Sequence, residues 1–283
     1  MKRIVLLALA LALLGVLAAC APAATPTPPP AATPEVESPT IAAIKEAGKL
    51  RAGVAVALPT IGQDPKTGEF FGPAIEVGKW LAEGLGVEVE FVDTNWDTAV
   101  AGLQANKYEV CVAGLYATPQ RVEVIDFVNY TRMGFCGMVL KDNDKVNTLE
   151  DFNKPETVLG IYTGSGHEPL RDEFPNATFD SVVSPPGAET RIEELLAGRI
   201  DVAFLDSPLI LVYQEEYPQV KVIPESPEYC YENPIMGMEV GISVAKGDPA
   251  WYSYVESVVK GRGEEIQQLL KKYSAPEYLR PQE

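Results

Sequence analysis

The sequence predicts an α/β protein built from two similar lobes. Apolar runs of strand length alternate with helix-length segments, and the connections between them are short. One β-α-β-α-β alternation covers residues 50–127, and a second covers residues 158–223. Residues 103–113 and 195–205 echo each other, since each contains a helix end, a tight turn, an acidic residue and an apolar strand. This pattern favours mainly parallel sheets with helices on both faces.

The first lobe begins with a helix whose start and end are marked by a capping threonine and a glycine. Its predicted elements are a helix over 41–47 between Thr40 and Gly48, strand 50–56, helix 75–85, strand 87–92, helix 96–105, strand 110–113, a helix from Pro119 and strand 124–127.

A longer strand is expected to leave this unit before the second alternation. The remaining predicted elements are strand 133–141, a helical turn over 148–152, strand 158–162, a loop over 164–167 leading into a helix, strand 178–183, helix 188–196, strand 202–205, helix 207–216, strands 220–223 and 240–245, and helices 248–260 and 262–273.

The first 20 residues have the pattern of an export signal. Two basic residues precede an uninterrupted apolar run over residues 4–19, which is short for a membrane span of roughly 20 residues. The run ends in LAAC at Cys20, which resembles the lipobox of bacterial lipoproteins. That resemblance implies cleavage before Cys20 and a diacylglyceryl group on its sulfur. An ordinary secretory signal with an incidental cysteine is the alternative.

Residues 21–40 are predicted to be a tether. Seven prolines among 20 mostly small residues cannot build a core and favour an extended spacer, which reaches on the order of 60 Å when fully extended. The folded part is then expected to begin near Ile41. No later stretch reaches 18 apolar residues, so the mature chain is not expected to span a membrane.

Charge and cysteine usage exclude several classes of function. The formal charge is −17, and without residues 1–20 it becomes −19, from 21 basic and 40 acidic residues. Such a chain is a poor candidate for binding nucleic acid or anionic lipid. No CxxC or metal-ligand spacing is present, so no metal or cofactor is expected. Cys111 is expected to be a small buried residue, whereas Cys136 and Cys230 either pair or remain free thiols.

Arg121 is the first candidate for ligand binding. It follows the strand and loop over 110–117, in the first turn of a helix that Thr118 and Pro119 are expected to start. Ligands of α/β proteins bind in the crevice outside the carboxyl ends of strands. A guanidinium and free N–H groups at that place suit a carboxylate. The alternatives for Arg121 are a surface ion pair and a structural brace.

Asp206 is the matching candidate in the second lobe, because it ends the strand that corresponds to the one preceding Arg121. A guanidinium on one lobe and a carboxylate on the other suit a zwitterion, whose carboxylate and ammonium would pair with them. A ligand bound in this way would favour closure of the two lobes over it.

The chain resembles family 3 of the bacterial extracellular solute-binding proteins, the amino-acid receptors of ABC importers. The resemblance covers residues 41–275. The segments that carry it are GKLRAGVAV (48–56), GVEVEFVDTNWDTAVAGLQANKYEVCVAGLYATPQR (86–121), IDFVNY (125–130), LEDF (149–152), LLAGRIDVAFLDS (195–207) and VGISVAKGD (240–248). It implies a periplasmic-binding-protein-like fold with a double-stranded hinge and the ligand in the interlobe cleft. By analogy, residues 41–132 and 237–283 form lobe 1 and residues 133–236 form lobe 2.

The resemblance also assigns ligand residues one at a time. Arg121 matches the carboxylate-binding arginine and Asp206 the ammonium-binding acid. The other matches are Trp96, which lines the pocket or is plain core, Gly114 and Tyr116 around the ligand, and Ser165, Gly166 and His167 in a loop at a helix N-terminus. His167 is either a solvated loop residue or a contact that makes affinity pH-dependent near neutrality.

The sequence departs from the family pattern at several pocket positions. Leu58 stands where an aromatic residue is frequent, Ala113 where a hydroxyl is frequent, and Tyr116 replaces a smaller residue. The pocket is therefore expected to be poor in hydroxyls, which leaves the ligand's side chain undetermined.

The resulting hypothesis is a monomeric, lipid-anchored receptor on the extracytoplasmic face of the cell membrane. It would deliver an amino acid to ABC permease subunits without catalysing a reaction. The alternatives are an enzyme on the same scaffold, either dehydratase-like or lytic-transglycosylase-like, and a ligand sensor. An enzyme would need a positioned acid and base, and no such pair separate from the ligand residues is evident in the sequence.

Overall fold

A computed structural model describes residues 38–183 and 189–279. The predicted export signal with Cys20 and nearly all of the predicted tether lie outside the described residues.

The strands of the described chain form one large mixed sheet and one small hairpin. They are β1 Lys49–Val54, β2 Gly62–Gln63, β3 Phe70–Phe71, β4 Glu88–Asp93, β5 Val110–Tyr116, β6 Ile125–Leu140, β7 Val158–Thr163, β8 Thr178–Val183, β9 Val202–Asp206, β10 Val220–Ile223 and β11 Ile235–Ala245.

The helices lie between these strands and after the last one. They are α1 Pro39–Ala47, α2 Pro73–Leu85, α3 Ala99–Gln104, α4 Pro119–Val122, α5 Leu170–Glu173, α6 Glu189–Leu196, α7 Ile210–Glu216, α8 Pro227–Glu232, α9 Pro249–Gly261, α10 Gly263–Tyr273 and α11 Pro276–Leu279, with single 3₁₀ turns at Leu149–Asn153 and Ser207–Leu209.

The large sheet contains two parallel triads with antiparallel strands between them. Its order is β4-β1-β5-β11-β6-β9-β7-β8, and β10 pairs with β6. Strand β1 pairs in parallel with β4 and β5, and β7 pairs in parallel with β8 and β9. Each triad reproduces one of the two alternations read from the sequence, so the α/β prediction and its two lobes are confirmed.

Two long strands join the triads. Strand β6 is 16 residues long and pairs with β11 at its start and with β9 and β10 at its end. The prediction of separate strands over 124–127 and 133–141 was therefore wrong, and β11 likewise begins five residues before the predicted 240. Polar residues around Asn129 hid this continuity, since β6 is partly exposed where it passes between the lobes.

The buried side chains form separate cores on the two sides of this crossing. One cluster packs α2 and α9 against β1 and β5 and includes Ile75, Leu81 and Trp251. The clusters of the other side pack around Phe152 and Phe204 and around Ile192 and Ile210. A fourth cluster, around Leu103 and Tyr108, belongs to the first side.

The folded region begins earlier than the predicted boundary. The Ser38 hydroxyl, not that of Thr40, caps α1 by accepting the Ile41 N–H at 3.0 Å, and it donates to Asp248 Oδ2 at 2.7 Å. Asp248 Oδ1 in turn caps α9. Residues 38–40 therefore belong to the folded lobe, and Gly48 ends α1 as predicted, in a left-handed conformation with φ 69°.

Helix α3 is shorter than the predicted 96–105. The Asn95 carbonyl accepts N–H groups from Thr98 at 3.2 Å and from Ala99 at 2.9 Å, so residues 95–98 form a turn before the helix. Trp96 consequently lies in a loop. The short elements β2, β3, α8 and α11 were not predicted, because they are too brief to show a periodic pattern.

The described residues contain no helix that is both long and apolar enough to cross a bilayer. Cys136 and Cys230 form a disulfide with a Cα–Cα distance of 5.9 Å, which decides the alternative that the sequence left open. It ties β6 to α8, while Cys111 is buried as a free thiol.

Replacing both Cys136 and Cys230 by alanine should lower the free energy of unfolding by about 2–5 kcal/mol, because the bond closes a long loop that would otherwise be free in the unfolded chain. Chemical denaturation measures this change. Reductant should destabilise the natural protein and leave the double variant unaffected. Alkylation of Cys136 and Cys230 without prior reduction would contradict the pairing.

Candidate functional site

A cavity of about 110 Å³ lies where residues from both triads meet. Its walls come from the ends of β5 and β9, from the loops after β1, β4 and β7, and from the middle of β6. One water molecule needs a cavity volume of roughly 10–15 Å³, so this cavity can hold a small molecule. Nine of the ten residues predicted to bind ligand line it, and Ala113 does not.

Arg121 is placed in the cavity wall by a capped single turn. Thr118 is the N-cap of α4, accepting the Arg121 N–H at 3.4 Å, and Pro119 occupies the first position. The guanidinium donates through Nη1 to the Tyr116 carbonyl at 3.0 Å. Through Nη2 it donates to the Gly164 carbonyl at 2.7 Å and, at 3.4 Å, to that of Trp96.

The Arg121 guanidinium is buried without a carboxylate partner. The residue is 7% exposed, and among the described residues no acidic side chain forms a salt bridge with it. Burial lowers its pKa to about 10. The alternative of a surface ion pair was therefore wrong. A bracing role is real, because three carbonyls hold the side chain, but carbonyl dipoles leave its positive charge uncompensated.

Asp206 lies at the end of β9, in the other parallel triad, and also lines the cavity. Its Oδ1 accepts the Tyr116 hydroxyl at 2.6 Å, and no described residue donates a hydrogen bond to its Oδ2. Burial raises the pKa of the carboxyl to about 6, and the hydrogen bond from Tyr116 opposes that rise. Asp206 forms no salt bridge with Arg121 or with any other described cation. The two opposite charges thus line one cavity without neutralising each other.

The loop after β7 is held rigidly by its own side chains. The Ser165 hydroxyl donates to the Tyr162 carbonyl at 2.7 Å and accepts the His167 N–H at 3.1 Å. Gly166 packs against the Tyr116 ring so closely that a Cβ there would overlap it. The Gly166 N–H has no acceptor among the described residues. The expected helix N-terminus is absent here, because α5 begins only at Leu170 after a series of turns.

His167 fits neither of its two interpretations. It is 6% exposed, so it is not a solvated loop residue. Its Nδ1 accepts the Tyr162 N–H at 3.4 Å, and its ring stacks on Tyr162 and meets Phe135 edge-on, with centroids 4.7 Å apart. Burial and the nearby Arg191 charge lower its pKa to about 3. His167 is therefore neutral at physiological pH and cannot make affinity pH-dependent near neutrality.

Trp96, Leu58 and Gly114 line the cavity. Gly114 has φ 61°, and a Cβ there would lie 2.5 Å from Thr60 Oγ1, so only glycine fits this close approach. Ala113 is the exception, because its side chain is fully buried in the cluster around Leu103 and Tyr108. Side chains alternate along a strand, so the neighbour of a cavity residue points away from the cavity.

Several lining residues were not found by sequence reasoning. They are mostly apolar or aromatic: Met133, Phe135, Tyr162, Phe204, Leu209 and Tyr213. Tyr162 lies next to the carboxyl end of β7, and this position could have indicated that it lines a ligand site. Met133 and Phe135 lie inside β6 and gave no signal, since a buried apolar strand residue looks the same in a core and in a cavity wall.

Comparison with known proteins shows the family and the fold of this chain. The family model described as "Bacterial extracellular solute-binding proteins, family 3" matches residues 50–276. The chain belongs to this family. Within the part of the chain that the structure describes, no group of His, Cys, Asp and Glu side chains is arranged to hold a metal.

One curated relative is the L-cystine-binding protein of Escherichia coli (strain K12), which is 27% identical over 165 residues. That match covers 58% of this chain and 60% of the relative, so the chain spans about three fifths of its length. Related binding proteins include a glutamine-binding protein of Geobacillus stearothermophilus, 26% identical over 66% of this chain and 72% of that protein.

Among solved structures, an ancestral amino acid-binding protein titled a precursor of cyclohexadienyl dehydratase is 29% identical, with a TM-score of 0.69. The match covers 83% of this chain and 100% of that one. A Streptococcus pneumoniae substrate-binding protein solved with L-arginine has a TM-score of 0.71 and covers 85% and 100% of the two chains. At 21% identity it supports the two-lobed fold alone.

Replacing Tyr116 by phenylalanine should raise the pKa of Asp206 further above its usual range. A hydrogen bond to a charged group contributes about 1.5–3 kcal/mol, which corresponds to roughly one to two pKa units. Carboxyl ¹³C NMR titration of Asp-labelled protein measures this, with Asp206→Asn identifying the resonance.

The matched control for this titration is Tyr254→Phe. The Tyr254 hydroxyl donates to the Leu81 carbonyl at 2.7 Å and does not line the cavity, so its loss should leave Asp206 unchanged. An Asp206 pKa that stays at about 6 in Tyr116→Phe would mean that the hydroxyl does not stabilise the carboxylate.

Proposed function

We propose that this protein is the substrate-binding component of an ABC importer and captures an amino acid as a zwitterion between Arg121 and Asp206. The observation that carries the proposal is the pair of opposite charges in one cavity, neither of them neutralised by another described side chain. Arg121 would take the ligand carboxylate through the two guanidinium N–H groups that its three carbonyl partners leave free, and Asp206 would accept the ammonium through Oδ2.

Energetics favour a zwitterion over an ion of one sign. Removing each charge from water costs several kcal/mol, and this cost is recovered only when the buried charge has a partner of opposite sign. A ligand with one charge would leave either the guanidinium or the carboxylate without a partner. A zwitterion supplies both partners at once and keeps the net charge of the cavity unchanged.

The contacts around the cavity also support a closing motion. The Tyr116 hydroxyl reaches from β5 to Asp206 on β9, and the Arg121 guanidinium reaches from α4 to the Gly164 carbonyl after β7. A ligand held by residues of both lobes would stabilise the closed arrangement relative to an open one by its difference in affinity for the two. Strands β6 and β11 would form the hinge.

For the lobe boundaries we propose residues 41–132 with 237–283 and residues 133–236, with the start of the first lobe moved to Ser38. The buried clusters support this division. The cluster with Ile75 and Trp251 draws its members from residues 44–128 and 242–270, while Phe152 and Phe204 belong to a cluster drawn chiefly from residues 133–240.

Delivery to permease subunits would require the receptor to stay near the membrane, and we propose that Cys20 carries a lipid anchor on the extracytoplasmic face. The LAAC sequence and the preceding apolar run support this. Two acyl chains on one residue are enough for stable attachment. We expect the protein to act as a monomer, because one chain supplies both charged groups of the cavity.

The alternative function is an enzyme on the same scaffold, and one observation favours it. The pKa of Asp206 is raised to about 6, as is typical of catalytic acids. Catalysis would also require a base, and His167 already accepts a backbone N–H through Nδ1. We therefore propose binding without turnover, for which recovery of the bound amino acid unchanged by mass spectrometry is the test.

Replacing Arg121 by alanine should weaken amino-acid binding by at least about 30-fold, because truncating one partner of a buried charge pair costs about 2–5 kcal/mol and each 1.4 kcal/mol is a factor of about ten. Arg121→Lys should retain part of the affinity, since it keeps the charge and loses the fork. Calorimetry with the amino acid giving the largest thermal shift among the common twenty measures both changes.

Arg262→Ala is the control for this pair, because Arg262 contacts Glu265 and the Trp80 ring outside the cavity. Circular dichroism should show the same fold for all variants. If Arg121→Ala bound with the affinity of the natural protein, Arg121 would not be the carboxylate-binding group.

Replacing Cys20 by serine should release the protein from membranes, because serine carries no sulfur for the diacylglyceryl group. Fractionation of cells and the intact mass of the purified protein check this. Retention of Cys20→Ser in the membrane fraction would overturn the lipid anchor and leave the ligand site unaffected.

A further inference from the structure

The cavity contains one positive and one negative side chain among its described lining residues, Arg121 and Asp206. In the proposed function, Arg121 pairs with the α-carboxylate of the ligand and Asp206 with its α-ammonium group. No described cation or anion is then left in the wall for the ligand's side chain. A charged side chain would enter as a third, unpaired charge, which burial penalises.

Two hydroxyls of the wall, those of Ser165 and Tyr116, are also bonded already, whereas the Gly166 N–H has no acceptor among the described residues. The Ser165 hydroxyl bonds the Tyr162 carbonyl, and the Tyr116 hydroxyl bonds Asp206. His167 is neutral, and its ring is packed against Tyr162 and Phe135. An amide or carboxylate on the ligand would therefore find few partners, and an unpaired buried polar group is unfavourable.

The rest of the wall is apolar or aromatic. Leu58 and Leu209 come from the two proposed lobes, and Met133 and Phe204 also line the cavity. Trp96 approaches the Tyr162 ring with centroids 6.4 Å apart. Aromatic faces can attract a cation, but this attraction recovers only part of the cost of removing the cation from water. Burying an apolar ligand side chain against this wall is favourable, because it removes apolar surface from water.

We infer that this cavity selects α-amino acids whose side chains are uncharged and apolar, aliphatic or aromatic. This rests on the proposed function, since it assumes that the ligand's carboxylate and ammonium occupy Arg121 and Asp206. It departs from the solved structures titled as holding arginine. The physical basis is the charge balance of the wall, which a zwitterion with a neutral side chain preserves.

Calorimetry on the full chain tests this with L-leucine, L-methionine and L-phenylalanine against L-arginine, L-lysine, L-glutamate and L-glutamine. We expect the best apolar amino acid to bind at least 100-fold more tightly than any charged one and at least tenfold more tightly than glutamine. The deaminated and decarboxylated analogues of leucine should both lose affinity.

The outcomes separate the inference from the function on which it rests. Tight binding of arginine, lysine or glutamate that Arg121→Ala abolishes would overturn the apolar selectivity and keep the amino-acid receptor. Absence of binding by every amino acid, or binding that Arg121→Ala leaves unchanged, would overturn both.

A gain of function provides a second test. Val56 lines the cavity and is 36% exposed, so a polar side chain there disturbs little of the core. Val56→Glu adds a carboxylate to the wall and should raise the affinity for lysine relative to leucine at least tenfold, whereas the matched variant Val56→Gln should not. An unchanged ratio in a folded Val56→Glu would contradict the claim that ionic balance sets selectivity.

Discussion

The Arg121 guanidinium is bonded to the carbonyls of Tyr116, Trp96 and Gly164 and has no acid beside it among the described residues. Carbonyl oxygens fix its orientation and satisfy donors, but they carry only partial charge. The arrangement therefore leaves a positive potential at a buried side chain, where the effective dielectric constant is lower than in bulk water. In the proposed function, the carboxylate of the ligand would supply the missing negative charge.

Asp206 supplies the negative charge of the cavity and, unlike Arg121, is held by a hydrogen bond from a side chain. Tyr116 occupies one of its two oxygens, which keeps the carboxylate oriented and lowers the cost of its ionisation. The Tyr116 ring in turn lies against Gly166, where a side chain would overlap it.

The sheet explains how one chain brings these groups together. Arg121 and Asp206 follow strands of different parallel triads, and both triads attach to the same pair of long antiparallel strands, β6 and β11. In the proposed function this pair would be the hinge about which the relative orientation of the two lobes changes. Both cysteines of the disulfide fall within residues 133–236, the range proposed for the second lobe, so the bond does not link the two proposed lobes.

Local patterns were enough to predict the alternation of strands and helices, the cap at Gly48, and Arg121 and Asp206 at strand ends, because these features depend on residues close in sequence. Continuity of β6 and the burial of His167 could not be predicted. A strand that leaves one core and enters another looks interrupted in sequence, and a histidine next to a serine and a glycine looks like a surface loop. The apolar lining of the cavity was equally hidden among core residues.

By itself, therefore, the sequence determined the α/β class, the two-lobed repeat and the identity of the two charged groups. Tertiary structure alone decided that Ala113 faces the core, that His167 is neutral, and that Arg121 and Asp206 remain unpaired in one cavity. The physical reason is that burial and charge compensation depend on neighbours distant in sequence, whereas helix caps and strand patterns depend on adjacent ones.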